Sequence, residues 1–254
     1  MASEISAFYN HLAAHYHLIF EDWDASIERQ RKVLNALLVS ELGSQSLKIL
    51  DCACGIGTQA IGFAQSGHRV VACDLSSESI ARAAREAANR ALDISFHASD
   101  MTTLAEFADT NFDVAAALDN AFPHLSAAQL AKAAAAIASK LCTGGLLIAS
   151  TRDYDQLILQ KPTIQPPTFY RKGDDRWFVH QVWDWIDESR YILHHYITTH
   201  FGGIWSSHHF VGEYRCLLRQ ELSQALEAAG FHQVRWLFPA ESGFFQPIVL
   251  AQKL

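Results

Sequence analysis

A glycine-rich turn between acidic residues is the part of this sequence best suited to ligand chemistry. Residues 49–60 are ILDCACGIGTQA, so Asp51 stands directly before the turn that carries Gly55 and Gly57. Another acid, Asp74, ends the apolar segment RVVACD. It follows Gly55 at roughly the 20-residue spacing at which an acid binds a ribose. The pattern predicts a site for a nucleotide-like ligand.

Two ligands fit this turn. Gly55, Gly57 and Ala60 satisfy the pattern G-x-G-x-x-A, which fits a dinucleotide such as NAD. The carboxylate of Asp51 would repel a pyrophosphate, whereas S-adenosylmethionine has no phosphate and carries an ammonium and a sulfonium. The residues therefore favour S-adenosylmethionine, and a NAD-dependent oxidoreductase is the alternative.

Polar residues also follow the third and fourth predicted strands. Asp100 in HASDM can accept a hydrogen bond from an adenine amino group, with Met101 against the ring, although a helix cap is the other interpretation of Asp100. The fourth strand ends in LDNAFPHL, which places polar groups where a reacting methyl group would lie. His124 in this segment is a candidate base, because its pKa is normally near neutral, or a residue packed in the loop.

Alternating apolar strands and helices predict the fold that positions these residues. Strands are expected at SLKILD, RVVACD, ISFHASD, FDVAAALDN and GGLLIAST, with helices between them. This alternation predicts an α/β protein with a doubly wound, mostly parallel sheet of seven strands, whose last strand is antiparallel. Ligands of such sheets bind at the carboxyl ends of the strands.

Three regions follow from the pattern. Residues 1–44 are expected to form a helical lid of two helices, the first over residues 3–20. Residues 45–150 and 216–254 form the predicted sheet domain. Residues 151–215 show period-two patterning over 179–215 and are predicted to form a small antiparallel β insert of three strands above the substrate.

The motifs resemble those of the class I S-adenosylmethionine-dependent methyltransferases. ILDCACGIGT is similar to their first motif, with Ala53 in place of its first glycine, VVACDLS to their second and ASDM to their adenine-binding motif. The resemblance covers about residues 45–150 and 215–254. It implies that Asp74 binds both ribose hydroxyls, and that the cofactor site includes Asp51, Ala53, Gly55, Gly57, Leu75, Asp100, Met101 and Leu118.

Shorter segments resemble the glycine N-methyltransferase group. These are HYHLIFEDW, LDNAFPHL and STRDYDQL. The resemblance implies that Tyr16 and Trp23 cover the methionine end of the cofactor, that Asn120 and His124 line the acceptor side, and that Arg152 stands at its mouth. The function it implies is methylation of a small molecule, with the nitrogen of an amine, amino acid or heterocycle as acceptor. A non-catalytic subunit that binds S-adenosylmethionine is a third hypothesis.

Composition limits the partners. The 254 residues carry a net charge of −7 and no basic stripe, which disfavours nucleic acid. No apolar segment is long enough for a membrane span, and five cysteines suggest free thiols in a reducing compartment. We expect a cytoplasmic monomer or homodimer with a small-molecule substrate.

Histidines are dense in the insert but do not predict a metal site. His194, His195, His200, His208 and His209 lie within 16 residues. Adjacent residues of a strand point to opposite faces, so His194 and His195 do not face one metal, and no cysteine or carboxylate completes a ligand set.

We therefore predict that activity survives metal removal. Treatment with a chelator should leave the rate of methyl transfer unchanged, and elemental analysis should find no zinc. Zinc at one atom per chain would contradict this prediction.

Overall fold

The computed structural model describes residues 2–108 and 110–254 of the chain. The main sheet contains seven strands: β1 (Lys48–Asp51), β2 (Arg69–Asp74), β3 (Ile94–Ala98), β4 (Phe112–Ala117), β5 (Leu141–Ser150), β10 (Phe231–Leu237) and β11 (Ile248–Lys253). A second sheet contains β6 (Ile164–Lys172), β7 (Asp175–Trp185), β8 (Arg190–Phe201) and β9 (Ile204–Arg215). The helices are α1 (Ala2–Leu12), α2 (Trp23–Leu42), α3 (Thr58–Gln65), α4 (Ser77–Asn89), α5 (Ala127–Lys140), α6 (Tyr154–Gln160), α7 (Arg219–Ala228) and α8 (Pro239–Ser242).

The main sheet confirms the predicted fold class. Its strand order is β10-β11-β5-β4-β1-β2-β3, and the pairs among β1 to β5 are parallel. The last strand, β11, runs antiparallel to both of its neighbours, β5 and β10. Since strand order reverses between β1 and β4, the carboxyl ends of these strands open a crevice for a ligand.

Both faces of the main sheet are covered, as the continuous apolar strands require. Neighbouring residues of a strand point to opposite faces, and β1 shows this clearly. Ile49 belongs to the core cluster with Leu34 of α2 and Phe63 of α3. Leu50 belongs to the other cluster, with Ile137 of α5 and Leu222 of α7. The sheet is therefore doubly wound, with helices on both faces.

The second sheet has one more strand than the sequence predicted. Its order is β6-β7-β8-β9, and only the last three strands were expected. The missed strand, β6, is largely exposed and contains Pro166 and Pro167. Its register with β7 shifts between Gln165 and Thr168. Proline lacks a backbone donor and is confined to edge strands or bulges, which explains why the pattern did not indicate a strand.

The N-terminal helix is shorter than predicted. The prediction placed one helix over residues 3–20, whereas α1 ends at Leu12 and a 3₁₀ turn follows at Tyr16–Ile19. The break leaves backbone carbonyls without helical partners. Arg82 of α4 donates to the carbonyls of Ala13 and Ala14, at 2.7 and 3.0 Å. This contact from another helix fixes the turn, and no local pattern in the sequence predicts it.

The insert and the N-terminal region pack on the main domain. Trp183, Tyr191 and Tyr214 of the second sheet lie in the same core cluster as β4 and α5. Phe8 of α1 packs with Phe210 of β9 in a smaller cluster. Among the described residues, no helix combines the length and apolar character needed to cross a membrane.

Candidate active site

A cavity lies at the carboxyl ends of β1, β2 and β4, and the space within it is about 780 Å³, part of which is open solvent. Nine residues that the sequence assigned to the site line it: Tyr16, Ala53, Gly55, Asp74, Leu75, Asp100, Met101, Leu118 and His124. The cavity lies at the point where the strand order reverses, where a doubly wound sheet binds its ligand. The cavity is not lined by the five other predicted residues, which are Trp23, Asp51, Gly57, Asn120 and Arg152.

The glycine turn and Asp74 form one hydrogen-bonded unit. The backbone N–H of Gly55 donates to Asp74 Oδ2 at 2.9 Å, and that of Ser76 donates to Asp74 Oδ1 at 2.8 Å. Gly57 has a φ of 93°, and a Cβ there would lie 3.2 Å from that of Ala83. Gly57 thus shapes the turn without lining the cavity. Burial raises the pKa of Asp74, while these backbone donors oppose the shift.

Asp51 supplies a carboxylate that the protein leaves half satisfied. Its Oδ1 accepts from the N–H of Ala53 at 3.4 Å, whereas its Oδ2 is buried and has no hydrogen-bond partner in the part of the chain described. Burial raises the pKa of Asp51 to about 7. An unsatisfied buried carboxylate is costly unless a donor or cation reaches it. The ammonium of S-adenosylmethionine is such a group, so Asp51 fits this cofactor and not a pyrophosphate.

Asp100 lines the cavity beside Met101 and Ser99, and its binding of adenine stays a prediction. The helix-cap interpretation is wrong, because no helix follows this residue. Its Oδ1 accepts from the N–H of Thr102 at 2.8 Å, which is a turn contact. The helix expected after it does not form, because residues 101–106 make turns. One carboxylate oxygen thus fixes the turn while the residue borders the cavity.

The N-terminal region closes the cavity through two tyrosines. Tyr16 donates its hydroxyl to Asp119 Oδ2 at 3.1 Å, and the hydroxyl of Tyr9 lies 2.7 Å from His124 Nε2. Trp23, predicted to cover the cofactor, instead lies one layer behind. Its indole N–H donates to Thr58 Oγ1 at 2.9 Å, and Thr58 lines the cavity. Position 23 begins α2, whose buried face meets α3.

Asn120 and Arg152 lie on the far side of the cavity wall. The side-chain oxygen of Asn120 accepts from the backbone N–H of Arg152 at 3.1 Å, and its amide donates to Tyr154 at 3.0 Å. Arg152 borders a separate depression together with Trp183 and Gln246. The predicted acceptor-side residues are therefore split, since only His124 faces the cavity itself.

Eleven other residues of the cavity wall were not predicted from the sequence, and two of them bear directly on the chemistry of the site. Asp119 stands within LDNAFPHL and lines the cavity, as does Tyr9 of α1. An acid directly after a parallel strand was a usable signal for Asp119, because the acids after the other strands were recognised in this way. For Tyr9 no signal existed, because its place depends on how α1 packs against β9.

The histidines of the insert divide between the two faces of the second sheet. His195 is buried and contacts Gln181 at 3.2 Å, whereas the ring of His194 lies 2.9 Å from His209 and 3.1 Å from Asp184 on the outer face. Over residues 2–108 and 110–254, no group of three histidine, cysteine or acidic side chains is arranged to hold a metal ion.

Comparison with known proteins agrees with the geometry of this site. Residues 49–145 match the family model described as "Methyltransferase domain". A glycine/sarcosine N-methyltransferase of Parasynechococcus marenigrum is 34% identical over 138 residues, which are 54% of this chain and 48% of that protein. The chain thus spans about half the length of the curated relatives it matches.

Solved structures share the fold over nearly the whole chain. DesVI of Streptomyces venezuelae has a TM-score of 0.77 and 16% identity, covering 96% of this chain and 97% of its own. An amino pentose methyltransferase of Micromonospora echinaspora, solved with S-adenosylmethionine bound, has a TM-score of 0.72 and 18% identity, with 90% and 92% covered.

These findings identify the class of the protein. Residues 49–145 match a methyltransferase domain, and the chain has the fold of the S-adenosylmethionine-dependent methyltransferases. Its cofactor is S-adenosylmethionine, as the acids of the cavity had indicated, and the NAD alternative is set aside. Within the class, the sequence is similar to glycine and glycine/sarcosine N-methyltransferases.

We expect Asp74 to bind both ribose hydroxyls of the cofactor. The substitution Asp74→Ala should weaken binding of S-adenosylhomocysteine by about 1.5–3 kcal/mol for each charge-assisted hydrogen bond that is lost. Calorimetry measures this affinity directly. Asp74→Asn keeps the side-chain volume and one oxygen acceptor, so it should show a smaller loss.

The control is Asp93→Ala, which removes an exposed aspartate just before β3. It should bind S-adenosylhomocysteine as the unaltered protein does. Equal affinity of the Asp74→Ala variant and the unaltered protein would contradict the assignment of Asp74.

Proposed function

We propose that this protein transfers the methyl group of S-adenosylmethionine to a nitrogen atom of a small acceptor that carries a carboxylate. The observation on which the proposal rests is Arg152, an enclosed guanidinium that forms no ion pair with any residue the structure describes. An amino acid is the simplest acceptor with both groups.

The side chain of Arg152 is held by neutral groups. Nη1 donates to the hydroxyl of Tyr191 at 3.0 Å, and Nη2 faces Gln181 Oε1 at 3.4 Å. The guanidinium lies over the ring of Trp183, 4.9 Å from its centroid, and 5.7 Å from that of Tyr214. No carboxylate within the described ranges forms an ion pair with it. A guanidinium pre-set in this way is suited to a ligand carboxylate, which it can bind with two parallel hydrogen bonds.

The charge of Arg152 acts on the cavity although the residue lies behind its wall. It lowers the pKa of Asp119 and that of His124, both of which line the cavity, although burial is the larger influence on each of these pKa values. A carboxylate bound to Arg152 would therefore lie beside the part of the cavity wall formed after β4 and β5. This is the side from which an acceptor approaches if the cofactor rests on the turns after β1 to β3.

The relatives agree with a nitrogen acceptor. The matching proteins from Parasynechococcus marenigrum and Oryctolagus cuniculus are a glycine/sarcosine and a glycine N-methyltransferase. An acceptor of this kind has an amine and a carboxylate close together. A heterocyclic nitrogen is the competing acceptor, because it would rely on the aromatic residues and not on Arg152.

Methyl transfer requires the protein to align the two reactants more than it requires a covalent catalyst. The cofactor supplies a methyl group on a sulfonium, and a neutral amine attacks it in line. Holding the two reactants in this geometry contributes as much as about 7–11 kcal/mol in favourable cases. The tyrosines of the lid exclude water, and the ring of Tyr16 offers an aromatic face that favours a cation.

The substitution Arg152→Lys separates the two acceptor classes, because lysine keeps the charge and loses the planar fork. With glycine or sarcosine, kcat/KM should fall on the order of tenfold, which is about 1.4 kcal/mol and the scale of one charge-assisted bond. With imidazole as the acceptor it should barely change. The measurement is formation of S-adenosylhomocysteine.

Arg176→Lys is the matched control, because Arg176 lies on β7 of the same sheet and contacts exposed Trp205. It should leave kcat/KM unchanged. Affinity for S-adenosylhomocysteine should be the same in both variants. Loss of cofactor binding in Arg152→Lys, with the acceptor's apparent affinity intact, would show that the acceptor side is misplaced. A wild-type protein that binds the cofactor and methylates none of these amines would favour the non-catalytic alternative.

A further inference from the structure

The backbone directly after β4 is bent so that Asp119 faces the cavity. Asp119 and Asn120 have φ values of 55° and 70°, in the left-handed region that aspartate and asparagine tolerate better than most residues. Ser150 of β5 fixes this bend. Its hydroxyl accepts from the N–H of Asp119 at 2.8 Å, and its carbonyl accepts from that of Asn120 at 3.1 Å. Unusual backbone held in this way is characteristic of functional sites.

The carboxylate of Asp119 is weakly satisfied by the protein. Oδ2 accepts from Tyr16 at 3.1 Å, and Oδ1 accepts from the amide of Gln246 at 3.4 Å. No lysine, arginine or histidine in the described chain forms an ion pair with it. The accessible part of Asp119 belongs to the cavity wall. Burial raises the pKa of Asp119, and Arg152 lowers it without ion-pair contact, so a positively charged ligand group in the cavity would complete the compensation of this carboxylate.

His124, the base that the sequence suggested, is less suited to accept a proton. Its Nε2 already lies 2.7 Å from the hydroxyl of Tyr9. Burial lowers the pKa of His124 to about 4, so the imidazole is neutral and a poor proton acceptor at neutral pH. Asp119 shows the opposite tendency, because burial raises the pKa of its carboxyl group.

The ionisable groups around Asp119 do not change their protonation state near pH 7. Tyr16 faces it from the 3₁₀ turn, Tyr214 from β9 and Arg152 from the end of β5. Burial raises the pKa of Tyr16 well above its usual value of 10.0 and that of Tyr214 to about 12, so both are neutral near pH 7. Arg152 stays positive near pH 7, because a guanidinium is not deprotonated in this range.

We propose that Asp119 holds the positively charged nitrogen of the acceptor and takes its proton before methyl transfer. This role rests on the proposed function. An N–H bond of the ammonium breaks, its electron pair stays on nitrogen as the lone pair, and the proton moves to a carboxylate oxygen of Asp119. The lone pair then forms the N–C bond as the S–C bond breaks, with its electrons left on sulfur.

Two pKa shifts favour the transfer of this proton from the ammonium of the acceptor to Asp119. An ammonium group in solution has a pKa well above that of an aspartic acid. A neighbouring sulfonium lowers the pKa of the ammonium and burial raises that of Asp119, and both shifts favour the transfer, whereas Arg152 opposes the second. General base catalysis of this kind contributes about 10²–10⁴-fold to the rate.

Sinefungin tests the position of Asp119 without an acceptor. In this analogue an amine-bearing carbon replaces the methylsulfonium, so an ammonium stands where the methyl group would be. Asp119→Asn should weaken sinefungin at least tenfold in calorimetry and change the affinity of S-adenosylhomocysteine less than threefold. Asp51→Asn is the matched control, and it should weaken both ligands to a similar degree, because both carry the methionine ammonium.

Equal effects of Asp119→Asn on the two ligands, or no effect on either, would overturn the proposal. This binding experiment does not depend on turnover. If the unaltered protein methylates neither glycine nor sarcosine, that result contradicts the proposed function, and the sinefungin comparison still decides the placement of Asp119.

The pH profile of methyl transfer to glycine and sarcosine tests the proton transfer itself. At pH 7, Asp119→Asn should lower kcat/KM about 100-fold. The deficit should shrink toward pH 10, because the solvent then supplies neutral amine. Tyr16→Phe removes a hydrogen bond that lowers the pKa of Asp119 but keeps the carboxylate, so it should move the acidic limb of the pH profile upward and should not reproduce the deficit that shrinks toward pH 10. A deficit of Asp119→Asn that stays constant across this pH range would show a merely structural role and overturn the assignment.

Discussion

Three carboxylates end neighbouring parallel strands, and none has a cationic side chain in ion-pair contact within the described parts of the chain. Asp51, Asp74 and Asp119 follow β1, β2 and β4, which are adjacent in the order β4-β1-β2. Their partners are backbone N–H groups, a tyrosine hydroxyl and an amide. Removing a carboxylate from water costs several kcal/mol unless another charge compensates. The protein therefore compensates the charge of these carboxylates only in part, and a ligand with an ammonium and a sulfonium supplies the rest of the compensation.

The alignment of these acids depends on contacts between distant segments. Ser150 is the clearest case, because its hydroxyl accepts from Asp119 and donates to Gln246 at 2.9 Å. Gln246 precedes β11, the antiparallel strand beside β5. The last strand thus does more than extend the sheet, since it supplies the amide that contacts Asp119. A change in the packing of β11 on β5 would reach the cavity through these two side chains.

Local pattern was sufficient wherever one strand and the turn after it determine a position. Gly55 and Asp74 were recognisable because a turn with close backbone approach needs glycine, and the acid ends the next strand. Trp23 was misplaced because its partner, Thr58, belongs to a helix that packs against α2 from elsewhere in the sequence. The edge strand β6 was missed because its prolines break the pattern. Asp119 was visible as an acid after a strand, but its importance depends on the Ser150 and Gln246 contacts, which no local spacing indicates.

Arg152 contacts both the main sheet and the second sheet. For this reason the identity of the acceptor is harder to infer from the sequence than the identity of the cofactor. Its backbone belongs to the main sheet, through the hydrogen bond to Asn120, whereas its guanidinium is held by Gln181, Trp183 and Tyr191 of the second sheet. The matched methyltransferase domain ends at residue 145, so it includes all three carboxylates and excludes Arg152 and the second sheet. In the function we propose, substitutions on β7 and β8 move the anchor for the acceptor, while Asp51 and Asp74 hold the cofactor. The side chains that surround position 152 then decide which acceptor receives the methyl group.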